Sequence, residues 1–210
     1  MNTQQPDRDD IVDTALALAE QSSWESLRLH NIAAAAGVDL ATLHKHFREK
    51  EEIAEAWFDR ADRGMLAVAG APGFADAAGD DRVQILIVSW LDVLGAHRRV
   101  TRQIIFGKLE FGHLHVQIPA LLRISRTVQW LREAATRDAT GLARALDETG
   151  LTAIFVTTFA RWLSDDSPDA RATRRLLARL LQAAHCCLPD SRYSRPAPPL
   201  RTADGHSQPA

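Results

Sequence analysis

The chain has 210 residues, 46% of them hydrophobic, and a net charge of −2. That length permits one or two domains with a real core, and the lack of any apolar run of about 18 residues excludes a membrane-spanning helix. The charge provides no global attraction to nucleic acid, and the adjacent Cys186 and Cys187 cannot form an ordinary structural staple, which points to a reducing, cytoplasmic setting.

Ala, Leu and Arg abound while strand-favouring residues are sparse, so the expected class is all-α. Residues 1–8 read as disordered, and the polar, acidic start is not a signal peptide. Asp9 or Asp10 can cap a first helix to about Ser22, with Ile11, Ala15, Leu18 and Ala19 as its apolar stripe. Trp24 and Leu27 read as plugs of a small core that Ile32, Ala36, Val38, Leu43 and Phe47 complete.

The segment Ile32 to Phe47, IAAAAGVDLATLHKHF, is the most informative. An alanine-rich helical end runs into Gly37, which can take a left-handed conformation without a Cβ penalty. Asp39 is an N-cap residue type. Leu43 and Phe47 lie four apart on one face of the following helix, with Thr42, Lys45 and His46 mainly on the other. This is the layout of a helix-turn-helix.

A helix from Glu51 to about Leu66 follows, with Ile53, Trp57 and Met65 toward one side. Ala69 to Asp81 reads as a Gly/Pro linker. Arg82 to His97 is apolar almost all round, which predicts a buried central helix. A short helix is expected near Val100–Gly107, then an irregular stretch from Lys108 to Gln117, then a helix opened by Pro119 and ending near Arg137. Thr140 to Leu163 reads as one or two helices with Leu151, Ile154, Phe155, Phe159 and Trp162 on the core side. Asp165 to Ala170 is a stop and restart, with Ser167 as cap and Pro168 at the first helical position. The last helix carries Leu176, Leu177, Leu180, Leu181 and Ala184 on one face, with Arg171, Arg174, Arg175 and Arg179 opposite. From Pro189 the chain is proline-rich and expected to be disordered.

The pattern of Ile32, Ala33, Ala36, Gly37, Val38, Leu43, Phe47 and Lys50, with the flanking IVDTALALAEQSSWESL and FREKEEI, resembles the TetR family of bacterial regulators. The resemblance implies a three-helix helix-turn-helix domain (9–52), a helical ligand-binding and dimerisation domain (53–188) and a tail (189–210). It implies a homodimer on an operator in double-stranded DNA, answering a small hydrophobic effector, most simply as a repressor. By the same resemblance Thr42, Lys45 and His46 would contact DNA, Lys50 and Arg28 phosphates, and His44 the backbone. Leu40 and Ala41 stand at the tip of the recognition helix, where they can touch a thymine methyl but cannot read a donor pattern. Residues 1–50 carry five basic and eight acidic side chains, a poor start for phosphate binding.

In the second half, Trp90, Phe106, Phe111, Trp130 and Phe155 are large apolar residues on different helices that could line the effector pocket. No buried acid or base is obvious among them, which favours an apolar or amphipathic ligand. The TetR resemblance implies a dimer through a four-helix bundle of the last two helices, whose interface would be Trp162, Leu176, Leu177, Leu180 and Leu181. A shorter stretch, Leu151 to Thr173, resembles the TetR-like lipid-binding accessory proteins of ubiquinone biosynthesis. That alternative implies a helix-turn-helix without DNA activity and a last helix meeting a membrane surface through its arginines.

No metal or other cofactor is expected. His113 and His115, with Cys186 and Cys187 far away, match no standard zinc spacing. There is no glycine-rich phosphate loop and no nucleophile motif, so the chain reads as a non-enzyme.

Overall fold

A computed structural model describes residues 6–109, 114–137 and 141–187, and the described residues are all-helical. The helices are α1 (Arg8–Gln21), α2 (Leu29–Ala36), α3 (Leu40–His46), α4 (Lys50–Ala69), α5 (Gly79–Gly95), α6 (Arg98–Leu109), α7 (Leu114–Ala134), α8 (Gly141–Leu163) and α9 (Arg171–Cys187). No described helix is long and apolar enough to cross a membrane. The tail from residue 189 and Phe111 lie outside the described residues.

The N-terminal unit packs α1, α2 and α3 around Ile11, Leu16, Ile32, Leu43 and Phe47, all fully buried. The cap of α1 is Asp7 rather than Asp9 or Asp10. Asp7 accepts from the Asp10 N–H at 2.8 Å, and Asp10 accepts from the Asp7 N–H at 2.9 Å, so each acid satisfies the other's free donor.

α4 ties this unit to the rest of the chain. Its Ile53, Trp57 and Met65 are buried in a core that continues into α5 and α8. Contact between α4 and α5 is close. A Cβ on Gly64 would stand 2.6 Å from Val93 Cγ2, so only glycine fits the α4 side without displacing a stiff β-branched neighbour.

Four expectations change in this half. The 69–81 segment is a folded connection, not a loose linker. Phe74 is buried, and Arg82, itself buried, donates to Ala75 O at 2.7 Å and to Ala77 O at 3.0 Å. The irregular stretch is shorter than expected, because α6 reaches Leu109 and α7 begins at Leu114. Pro119 therefore lies inside α7 instead of opening it. The ring removes one donor, and a helix of 21 residues continues on both sides of that local loss. Finally, the start of α9 is held by Asp165 as well as Ser167. The Ser167 hydroxyl accepts from Ala172 N–H at 3.0 Å, and the buried Asp165 carboxylate accepts from Thr173 N–H at 2.7 Å and Thr173 Oγ1 at 2.6 Å. Burial opposes ionisation of Asp165. The hydrogen bonds from Ser167 and Thr173 overcome it and hold the carboxyl far below the usual carboxylate range.

Candidate nucleic-acid interface

The turn between α2 and α3 is built as its residue types demand. Gly37 adopts φ +69°, and its N–H and that of Val38 close the end of α2. Asp39 then caps α3 by accepting from Thr42 N–H at 2.7 Å. The hydrogen bonds from the Thr42 side chain and backbone hold the Asp39 carboxyl below its ordinary range. Leu43 and Phe47 fasten α3 to the core. The opposite face is open: Leu40, Ala41, His44 and Lys45 are exposed, with Thr42 and His46 half-buried.

The two groups expected to hold phosphates differ from each other. Arg28 is exposed just before α2, with one guanidinium nitrogen 2.9 Å from Glu25 O. Lys50 turns inward. Its ammonium donates to Trp24 O at 3.1 Å, Glu25 O at 3.3 Å and Leu27 O at 3.4 Å, and lies 5.7 Å from the centre of the Trp24 ring. Burial pushes its pKa down. Lys50 thus fixes the α1–α2 connection against the start of α4, a role that spacing alone did not reveal. Arg8 works similarly, donating to His46 O at 2.7 Å and covering the Phe47 ring.

The acidic excess of residues 1–50 is met from elsewhere in the fold. Asp9 lies 2.9 Å from Arg63 and 3.3 Å from Arg60, and Arg60 also pairs with Asp13. Glu20 lies 4.0 Å from Arg99 and 3.5 Å from His97. Three arginines from α4 and α6 therefore stand beside the acids of α1, so a count confined to the first fifty residues overstates the repulsion toward a phosphate backbone. Partial burial of Asp9 works against ionisation, but Arg63 and Arg60 outweigh it and hold its pKa low.

These features agree with the comparisons. Residues 11–57 match the model for bacterial regulatory proteins of the tetR family. A TetR transcriptional regulator from Nitrosomonas europaea ATCC 19718 is 49% identical, and its crystal structure superposes with a TM-score of 0.77 over 85% of this chain and 98% of that one. The chain belongs to the TetR family. It is a transcriptional regulator of that family, and the matched residues contain the helix-turn-helix. Two more distant solved structures share the fold. A TetR regulator from Rhodococcus sp. RHA1 has a TM-score of 0.60 at 20% identity over 81% of this chain and 93% of that chain. One from Streptomyces coelicolor has 0.60 at 16% identity over 86% and 82%. All three are described as transcriptional regulators. No curated protein matches the chain.

In the regulatory half, the structure brings together only part of the expected pocket set. Trp90 and Phe155 are buried edge to face at 5.1 Å, with Phe159 at 5.2 Å and Phe58 at 6.2 Å from Trp90. Phe106 and Trp130 instead are 53% and 49% exposed, so they do not join Trp90 and Phe155 in a buried cluster. Beside Trp90 lie charged residues that the sequence reading missed. Asp62 accepts from Trp90 Nε1 at 2.8 Å, Thr127 Oγ1 at 3.0 Å and Arg123 Nη2 at 2.8 Å. Arg123 also pairs with Asp59 and lies 3.7 Å from Glu55. Burial raises the Asp62 pKa in spite of Arg123. The signal was present as three acids, Glu55, Asp59 and Asp62, on one face of α4, but nothing local named Arg123 as their partner.

The expected dimer residues also divide. Trp162, Leu177 and Leu181 are buried by their own chain, which removes them from any outer surface, while Leu176 and Leu180 remain half-buried. Burial inside one chain corrects their placement at an interface. Exposed instead are Leu146, Gly150, Ala153, Val156, Thr157 and Ala160 of α8, spaced as one stripe.

Proposed function

We propose that this regulator is a cytoplasmic homodimeric repressor whose α3 helices enter successive major grooves of an operator, and that a small amphipathic effector releases it. The observation that carries the DNA reading is the open face of α3, held rigidly from behind by Leu43 and Phe47. Repression needs nothing further from the chain, since a dimer occupying a promoter excludes other proteins from it. The α8 stripe, with Leu176 and Leu180, is the surface that a second copy would cover, and small residues let two helices approach closely. Val156→Glu would place a charge in that contact, and sedimentation should then show a monomer while the wild type sediments as a dimer.

Coupling between effector and DNA is supported by the contacts of α6. Trp57 Nε1 donates to Thr101 Oγ1 at 2.9 Å, Gln103 Oε1 accepts from Trp24 N–H at 2.7 Å, and Arg99 donates to Ser22 O at 2.9 Å. A ligand favouring one position of α6 would shift the population between two spacings of the recognition helices. The lipid-carrier alternative retains the exposed Arg171, Arg175 and Arg179 of α9 as its support. Selection of bound genomic DNA at low salt, run beside pelleting with anionic lipid vesicles, separates the two. Enriched, palindromic sites are expected; pelleting without DNA enrichment would overturn the operator-binding reading.

A further inference from the structure

At the tip of α3 few side chains can read a base by hydrogen bond. Asp39 could accept from a cytosine amine, but its carboxylate is committed to the cap. Thr42, half-buried, gives its backbone N–H to that same carboxylate at 2.7 Å. Lys50, expected near this surface, has turned inward onto three carbonyls. What remains at the first two helical positions is Leu40 and Ala41, both exposed, and Leu40 is 55% exposed although no core contact requires a leucine there. An exposed leucine costs little in the free protein, but it has an apolar surface to bury once the helix enters a groove. The major groove presents one apolar group to such a side chain, the thymine 5-methyl.

Resting on the DNA-binding reading, we infer that Leu40, supported by Ala41, is a specificity-determining residue that selects thymine in each half-site by contact with its methyl group. The hydrogen-bonding contribution to readout then comes from farther along the helix, where His44 and Lys45 are exposed.

The test starts from the operator obtained by selection and replaces its half-site thymines one at a time with deoxyuridine, which deletes the methyl and leaves pairing unchanged. Removing one contacted methyl should weaken binding by about fourfold, the equivalent of about 0.8 kcal/mol. In Leu40→Ala the same replacement should have almost no effect, while the melting temperature stays that of the wild type because the residue is exposed. Leu40→Gln should move the preferred base toward adenine, which glutamine reads with two hydrogen bonds. If DNA is selected and bound but uracil at every half-site position is tolerated, this inference fails and the regulator reading stands. If no DNA is enriched at any salt concentration, both fail.

Discussion

Around α3, charged side chains lie at the surface or hold a neighbouring backbone carbonyl. Among α4, α7 and α8, arginines and aspartates are buried against one another. Every buried charged side chain among the described residues stands at position 62 or later. Asp147, for instance, pairs with Arg137 and lies 3.5 Å from Arg132, and all three are buried. The N-terminal unit is thus held mainly by apolar packing, with none of its charged side chains buried among the described residues. The regulatory half spends polar groups internally, where desolvated pairs fix one arrangement of helices and respond strongly if a partner is lost.

The largest effects should come from the two cores. Phe47→Ala deletes a fully buried ring and should cost about 3–5 kcal/mol in urea unfolding, taking DNA binding with it. Asp62→Ala should cost somewhat less, about 2–3 kcal/mol, because Trp90, Thr127 and Arg123 lose a buried acceptor while Arg123 keeps Asp59. Here the two regions part company. Replacing both partners, Asp62→Leu with Arg123→Met, should recover most of the loss, since no charge is then stranded. A double variant as unstable as Asp62→Ala would show that the pair is not the element that matters.

A smaller effect concerns acid. The Asp165 carboxyl titrates lower in the fold than in the unfolded chain. Its contribution is therefore fully present above the unfolded value of about 3.9 and is lost as pH falls from there toward the folded value. Asp165→Asn should lower stability at neutral pH by about 1–3 kcal/mol, the cost of a damaged buried hydrogen-bond set, and should make the decline between about pH 4 and pH 2 shallower. Melting curves across that range check both parts.

The smallest effects contrast the two lysines of the helix-turn-helix unit. Lys50→Ala should cost about 1–2 kcal/mol through its lost carbonyl contacts and leave the salt dependence of DNA binding nearly unchanged. Lys45→Ala should leave stability alone and reduce the slope of log affinity against log salt by about one for each protomer. The reverse outcome would mean that Lys50 swings out to meet the duplex.

The helix-turn-helix was legible because its determinants are local. Ala-rich helix, left-handed Gly37, capping Asp39 and the Leu43–Phe47 pair all act within a few residues, and each is used as its chemistry suggests. The all-α class, the buried face of α8 and the restart near Ser167 were readable for the same reason. What the chain order concealed were meetings between distant side chains. Lys50 has the residue type and position of a phosphate contact, and only the fold places the Trp24, Glu25 and Leu27 carbonyls around it. Nothing local to Asp62 marks it for burial, and only the fold brings Arg123 and Thr127 of α7 against it. Leu177 and Leu181 lie on a face that periodicity identifies as apolar, but periodicity cannot say whether the chain's own core or a second copy covers it. Local propensity and capping act over one helical turn, and one strand of sequence is enough to specify them. Burial and pairing of charge depend on which helices pack together, and that is settled only by the tertiary structure.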